Sequence, residues 1–408
     1  MSAEVVATAE NTYSLAGKQL KLNTHDDIKQ YVEEIEAVTG LAILDISGNT
    51  IGIEASESLS KAILKHKDSI VDINFSDIYT GRLNTEIPQS LDHLLPALLQ
   101  LSNLQKLDLS DNALGLQAIE PIESYLEKAV TLEHLILSNN GMGPFAGARI
   151  GTSLFKLAQA KKSQKKSSLK TFICGRNRLE NGSVDRLAIG LRNHTELETV
   201  RLYQNGIRPA GASKLISQGL SKNKHLKVVD LQDNTLTTSA SIALAAALPQ
   251  WKALSELNVN DCLLKAQGSL NLVKALLEGE SRNELTVLKL QFNELNQEAL
   301  EKLVKVVGDK LPNLQSLELN GNIFEEDSES IDLLNEIFEE RGFGEIDELD
   351  DLEELDSDEE ESDDENEDAL PEDVNLDELE KELAGLTTQD EDSKVDDLAG
   401  DLAKTHIK

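Results

Sequence analysis

Few residues of this chain are spaced for covalent chemistry. Seven histidines, at positions 25, 66, 93, 134, 194, 225 and 406, show neither metal-ligand spacing nor an HExxH pair. Cys174 and Cys262 are the only cysteines and stand far apart in sequence, so neither a CxxC site nor a disulfide framework is expected. Gly141-x-Gly143 opens a helical stretch after an apolar strand, and Gly147 follows, as in a nucleotide-binding loop. The spacing has one residue too many for GxGxxG, and no P-loop, GxSxG or kinase set occurs. No cofactor and no metal are therefore expected. The chemistry left to the side chains is recognition: hydrogen bonding by carboxamides and carboxylates, and ion pairing by guanidinium groups. The candidates are Arg82, in the turn Thr80-Gly81-Arg82, and a polar series that includes Asn139, Arg176, Asp233 and Asp261.

A repeat sets those positions. Copies include Leu44-x-Ile46-x-x-Asn49-x-Ile51, Leu107-x-Leu109-x-x-Asn112-x-Leu114, Leu135-x-Leu137-x-x-Asn140-x-Met142 and Phe172-x-Cys174-x-x-Asn177-x-Leu179. Others close on Asn205, Asn234, Cys262, Asn293 and Asn322, and one more has Ile78 in place of Asn. Closing positions are 28 to 31 residues apart, except for gaps of 34 and 37, which is the period of long leucine-rich repeats. Alternating apolar residues make a short strand, and a buried Asn can satisfy backbone groups in the turn that leaves it. The stripes Ala55, Leu59, Ala62, Ile63 and Ala240, Leu244, Ala247, Leu248 predict a helix after the turn. Each unit buries its faces only against its neighbours. The expected fold is an α/β leucine-rich-repeat solenoid, a horseshoe with parallel strands on the concave face and helices outside. The residue before each closing position then lies on one rim. That row reads Gly48, Asp111, Asn139, Arg176, Gln204, Asp233, Asp261, Phe292 and Gly321. Singly each is a hydrated edge residue; as a row they suit recognition of a protein.

Composition agrees with such an array and narrows the partners. Leucine is about one residue in six while aromatics are 3%. The 408 residues carry a net charge of −35, which repels nucleic acid and anionic membrane, so neither is expected as a partner. No apolar run approaches the ~20 residues that span a bilayer, and the first residues lack a basic n-region, so an intracellular protein is expected. Residues 345–408 hold 29 acidic and 4 basic side chains; residues 345–368 hold 17 acids and no base. Such a block cannot bury enough apolar surface to offset its ordering entropy. The expected division is a repeat domain at 1–343 and an acidic, largely disordered tail at 344–408. Within the tail, Leu376, Leu379, Leu383 and Leu386 fall on one helical face behind Asn375, an N-cap. This stripe reads either as a leucine-rich export signal or as a helix folded back to cap the last repeat. The 37-residue gap holds Lys161-Lys162-Ser163-Gln164-Lys165-Lys166. It is expected as a solvated connection, with an acidic partner surface or nuclear localisation as the alternatives.

The residues between the repeat positions are more specific than the repeat itself. Thr80-Gly81-Arg82, Leu137-Ser138-Asn139-Asn140-Gly141-Met142-Gly143-Pro144 and Cys174-Gly175-Arg176-Asn177-Arg178-Leu179-Glu180-Asn181 resemble the Ran GTPase-activating proteins. So do Gln204-Asn205-Gly206-Ile207-Arg208-Pro209 and Leu257-Asn258-Val259-Asn260-Asp261-Cys262. The resemblance is strongest to the fungal members and spans nearly all of residues 13–343. It implies a protein that stimulates GTP hydrolysis by the small GTPase Ran in the cytoplasm, giving nuclear transport its direction. It implies an activator and not an enzyme, since the hydrolytic chemistry lies in the GTPase. The implied partners are Ran in its GTP form and a Ran-binding protein. The chain is expected as a cytoplasmic monomer that shuttles through, or docks near, the nuclear pore. The resemblance further implies that Asn139 helps orient the GTPase's own glutamine, and that Arg82 acts through binding and orientation without reaching the phosphates. From the residues alone, Arg82 also suits an arginine finger and Asn139 a turn-stabilising role. Arg176, Asp233 and Asp261 are the further partner-binding candidates. The 28/29 alternation also resembles ribonuclease inhibitor, a binding scaffold without GTPase activation, although the cysteine richness of that family is absent.

Overall fold

The computed structural model describes residues 11–325, 327–352 and 374–385. Among them, twelve short parallel strands, from Thr12–Ser14 to Glu345–Ile346, form one sheet in chain order. Register passes directly from repeat to repeat: Leu107 pairs with Leu135, Leu135 with Phe172, and Phe172 with Val200. In each strand the central residue points inward and its neighbours are largely half-buried. Those central residues, Leu44, Ile73, Leu107, Leu135, Phe172, Val200, Val229, Leu257, Leu288 and Leu317, are all 0% exposed. The helices cover the other side, and both expected stripes, Ala55 to Ile63 and Ala240 to Leu248, are buried. Strands this short have no core of their own, so stability comes from stacking. The fold is the α/β leucine-rich-repeat solenoid.

The closing asparagines form a hydrogen-bonded column. Asn140 Nδ2 donates to Leu137 O at 2.9 Å in its own turn and to Leu109 O at 3.0 Å one repeat earlier. Its Oδ1 accepts from Asn112 N at 2.9 Å. Asn112, Asn177, Asn205 and Asn293 repeat this arrangement. The two departures keep the backbone paired by other means. The Cys262 thiol donates to Leu231 O at 3.2 Å, and the Leu236 N–H finds the main-chain carbonyl of Cys262 at 2.9 Å. At Ile78, the Ile51 N–H finds the main-chain carbonyl of Ile78 at 2.9 Å in place of a carboxamide.

Three expectations need correction. First, Lys161 is not part of a solvated connection. It is buried near the end of the 21-residue helix Gly143–Ser163, where its Nζ donates to the carbonyls of Val130, Leu132 and Ser167. Burial pushes its pKa down to about 8. The extra length of the 37-residue gap is in this helix; that of the 34-residue gap is in the rim loop before helix Glu86–Leu98.

Second, the boundary expected at 343/344 falls one strand too early. Glu345–Ile346 pairs with the strand Ser316–Glu318. The Asp347 carboxylate then accepts from the N–H groups of Leu319 and Asn320 at 2.6 and 3.1 Å and from Gln291 Nε2 at 2.6 Å. These acidic residues satisfy the open edge of the sheet, a use that charge counting cannot separate from a solvated tail. Third, the tail helix Leu376–Gly385 does start at Asn375, whose Oδ1 accepts from Asp377 N at 3.0 Å, but it does not cap the last repeat. That edge is already occupied, and the helix lies against helix Glu180–Arg192 instead. Leu376 and Leu383 are buried there. Arg192 bonds to Asp377 at 2.8 Å and to Glu380, and Asn193 Nδ2 donates to Glu380 at 3.0 Å. Residues 353–373 and 386–408, which hold Leu386 and most of the tail expected to be disordered, lie outside the described residues.

Two outcomes follow. Arg192→Glu or Glu380→Arg alone should expose the tail helix to limited proteolysis, and the two together should restore protection. Protection that survived both single changes would mean that the leucines alone hold the helix. The second concerns acid stability. His194 is fully buried; its Nδ1 accepts from Leu169 N at 3.3 Å, so Nε2 carries the proton and donates to Leu154 O at 3.0 Å. Burial, with the Lys161 charge, holds its pKa down at about 3 against an ordinary 6.5. Between those values the unfolded chain binds the extra proton. This contribution is therefore complete above pH ~6.5 and is lost as pH falls toward 3, by up to about 1.4 kcal/mol per pH unit. Urea denaturation of the wild type and His194→Gln should show their stability gap shrinking from pH 7 to pH 5; a constant gap would contradict the buried neutral imidazole.

Candidate protein-interaction rim

The residue before each ladder position adopts a left-handed backbone. Gly48, Asp77, Asp111, Asn139, Arg176, Gln204, Asp233, Asp261, Phe292 and Gly321 all have φ between 49° and 69°. For residues other than glycine this region costs roughly 1–2 kcal/mol. It recurs because the next residue must aim its N–H along the asparagine column. A second bond holds it in place: from Gly48 to Phe292, each of these left-handed residues donates its own N–H to the following repeat. Asp111 donates to Ser138 O, Asn139 to Gly175 O and Arg176 to Tyr203 O, each at 2.9 Å. Asp233 donates to Asn260 O at 3.0 Å and Asp261 to Gln291 O at 2.8 Å. The candidates therefore stand in one row, with backbones fixed by bonds that spend none of their side chains.

The side chains differ in how far they are tied down. Asn139 is exposed, and its Nδ2 donates to Asp111 Oδ1 at 2.6 Å. Arg176 is exposed, and its guanidinium makes no hydrogen bond among the described residues. Asp233 accepts from Gln204 Nε2 at 2.8 Å. In the next repeat, partial burial and then the Asp233 charge push the Asp261 carboxyl above its ordinary range. Two adjoining carboxylates of this kind suit a cationic group on a partner.

Arg82 is placed apart from the row and is already engaged. Its Nε donates to Thr50 Oγ1 at 2.8 Å, and a terminal nitrogen donates to the carbonyls of Thr50 at 3.1 Å and Leu22 at 3.3 Å. These bonds tie the irregular loop to the two-stranded pair Lys21–Leu22 and Thr50–Ile51. The turn before it is anchored inward by Ile78 and by Tyr79, whose hydroxyl meets Ser90 Oγ at 2.8 Å. The Gly141–Gly143 segment is an ordinary repeat turn, with φ of 62° and 70° at the two glycines. Both cysteines are buried, and burial pushes the Cys174 thiol up to about 12. Among the described residues no His, Cys, Asp or Glu group is placed to hold a metal, and no helix is long and apolar enough to cross a membrane.

Other participants were not singled out from the sequence. Asp111 was in the rim row, yet its bond to Asn139 was not anticipated. The signal was available: the two occupy the same place in adjacent repeats, 28 residues apart, so their side chains are neighbours. Tyr203 lies flat over Gly175, where an added Cβ would come within 2.4 Å of the ring, and its hydroxyl donates to Ser138 Oγ at 3.3 Å. On the concave face Arg201 pairs with Asp230 at 2.8 Å and Glu256 at 2.9 Å. The rim loops also expose Leu83, Leu116, Leu263 and Phe292, at 66, 49, 40 and 43%. Apolar side chains among polar ones along one edge suit protein docking.

The ladder and rim asparagines should separate in denaturation. Asn140→Ala strands the Asn112 N–H and two carbonyls and should cost about 1–3 kcal/mol. Asn139→Gly, which keeps the left-handed turn, should cost less than about 1 kcal/mol. Equal losses would contradict the division between the buried column and the displayed row.

Comparisons with known proteins agree with this architecture. A family model for "Leucine Rich repeat" matches residues 100–122 and 222–245. The chain is 53% identical over 338 residues to Ran GTPase-activating protein 1 of Saccharomyces cerevisiae, covering 81% of this chain and 83% of that protein. It is 34% identical over 327 residues to the Ran GTPase-activating protein of Drosophila melanogaster, covering 79% of this chain and 54% of that protein. Ran GTPase-activating protein 2 of Caenorhabditis elegans is 41% identical over 205 residues, 49% of this chain and 21% of that protein.

Proposed function

This chain belongs to the Ran GTPase-activating protein family, and from that membership we propose that it stimulates GTP hydrolysis by Ran through its rim. The hydrolytic chemistry stays in the GTPase. Such an activator either inserts an arginine or steadies the glutamine that positions the attacking water. In this protein the second device would operate, with Asn139 as the orienting group. What supports it is the engagement of Arg82: Nε and one terminal nitrogen are bonded within the chain, so its role is to hold the rim loop and bind the partner. Asn139, by contrast, stands exposed on a fixed backbone and carries no charge. A carboxamide can both donate to and accept from another carboxamide, which suits it to a glutamine. Because the reacting glutamine is correctly placed only in the transition state, this contact accelerates the chemical step more than it tightens binding.

Arg176, Asp233 and Asp261 would contribute partner contacts along the same row, and Ran would be bound in its GTP form together with a Ran-binding protein. The activator would act as a monomer in the cytoplasm, keeping Ran in its GDP form there and so giving nuclear transport its direction. Association with the nuclear pore fits that role. The repeat domain, extended to residue 352 to keep the strand Glu345–Ile346 and its carboxylate caps, would suffice for activity.

Single-turnover hydrolysis by GTP-loaded Ran tests the mechanism. Asn139→Gly should lower the saturating rate by about 100-fold or more while affinity changes only a few-fold. Arg82→Ala should act mainly on affinity. A loss of about 10³-fold at saturation for Arg82→Ala, with binding intact, would make Arg82 the finger. An unchanged rate for Asn139→Gly would remove Asn139 from the chemistry.

A further inference from the structure

We propose that Asp111 is a positioning residue for this activity: it holds the Asn139 carboxamide by its nitrogen and leaves the oxygen as the group offered to the GTPase. The proposal rests on the reading of Asn139 given above and adds a residue and a polarity to it. The 2.6 Å bond runs from Asn139 Nδ2 to Asp111 Oδ1. An ionised carboxylate can only accept, so it selects one of the two amide orientations, and a charge-assisted bond of this length holds it firmly. Asn139 Oδ1 accepts no hydrogen bond among the described residues, so with one N–H tied to Asp111 and the amide orientation fixed, the oxygen keeps both lone pairs for a partner and only one N–H is left beside it. The matching group on a glutamine is its NH₂, which would direct the glutamine's own carbonyl oxygen toward the water.

The backbone leaves little else to fix. Asp111 and Asn139 are both left-handed, at φ of 60° and 54°, and both donate their N–H to the next repeat at 2.9 Å. From the other side, Tyr203 covers Gly175, the residue whose carbonyl receives the Asn139 N–H, and reaches Ser138. With the main chain braced on both sides, the freedom left at Asn139 is side-chain rotation and amide flipping. Asp111 removes it. The other lateral amide–carboxylate pair on the row, Gln204 with Asp233, uses a longer side chain, while at position 139 the short carboxamide bonded to the preceding carboxylate gives the best-fixed acceptor.

The test uses full-length protein and GTP-loaded Ran, measuring the saturating single-turnover rate and the affinity separately. Asp111→Gly removes the carboxylate yet takes a φ of 60° without strain, and Asp111→Asn keeps the turn but accepts either amide orientation. Asp111→Gly should lower the rate about 10-fold with affinity within about 2-fold, and Asp111→Asn should fall between it and wild type. In an Asn139→Gly background, Asp111→Gly should have no further effect, since its only route is through Asn139. A full additional loss in that background, or a loss of affinity as large as the loss of rate, would make Asp111 a direct contact and overturn the proposal. So would an unchanged Asp111→Gly rate beside a slow Asn139→Gly. If Asn139→Gly itself were fully active, the reading of Asn139 would fall first and the proposal with it.

Discussion

In every repeat a backbone leaves a three-residue strand and turns toward a helix, and at that point its amide and carbonyl groups lose their sheet partners. In all but the repeats closing on Ile78 and Cys262, one buried carboxamide answers this need. It donates to two carbonyls and accepts from the preceding repeat, so the same side chain closes its own turn and joins it to the one before. The geometry has a consequence one residue upstream. To aim the ladder N–H along the column, the preceding residue is forced into a left-handed conformation, and its side chain is delivered to the rim. The interaction that makes the solenoid rigid thus also makes the row of displayed residues, and their spacing is that of the repeat.

Much of this was legible in the residues because a repeat states its register many times over. The strand centres, the ladder asparagines and the helix stripes recur at fixed offsets, so an error at one copy is corrected by the others. What failed to read correctly lay where the period gives no help. Lys161 belongs to a run of charges, and nothing in the run shows that one ammonium turns inward onto three carbonyls while its neighbours do not. Asp347 looks like the start of an acidic tail, yet its carboxylate occupies the exposed edge of the last repeat. The leucines of the tail helix predicted the helix correctly but not its seat, because the seat depends on Arg192, nearly two hundred residues earlier in the chain.

The candidate site was legible in a different way. Its position on the rim follows from the repeat, but the functional weight placed on Asn139 comes from the family. By residue type alone, Asn139 beside Asn140 reads as part of the turn. The structure separates the two in physical terms: Asn140 is buried and fully bonded, whereas Asn139 is exposed and held by one neighbour. Arg82 shows the reverse. An arginine in an irregular loop invites a finger, yet its Nε and one terminal nitrogen are bonded to Thr50 and Leu22 within the chain.

The central claim is that this rim acts on a GTPase's chemistry and is more than a binding edge, the alternative carried by ribonuclease-inhibitor-like scaffolds. Phosphate release from GTP-loaded Ran, followed in a single turnover with and without excess purified wild-type chain, decides between them. The account predicts acceleration by several orders of magnitude, about 10³-fold or more. A complex that forms but hydrolyses GTP at the rate of Ran alone would contradict it and leave a binding scaffold.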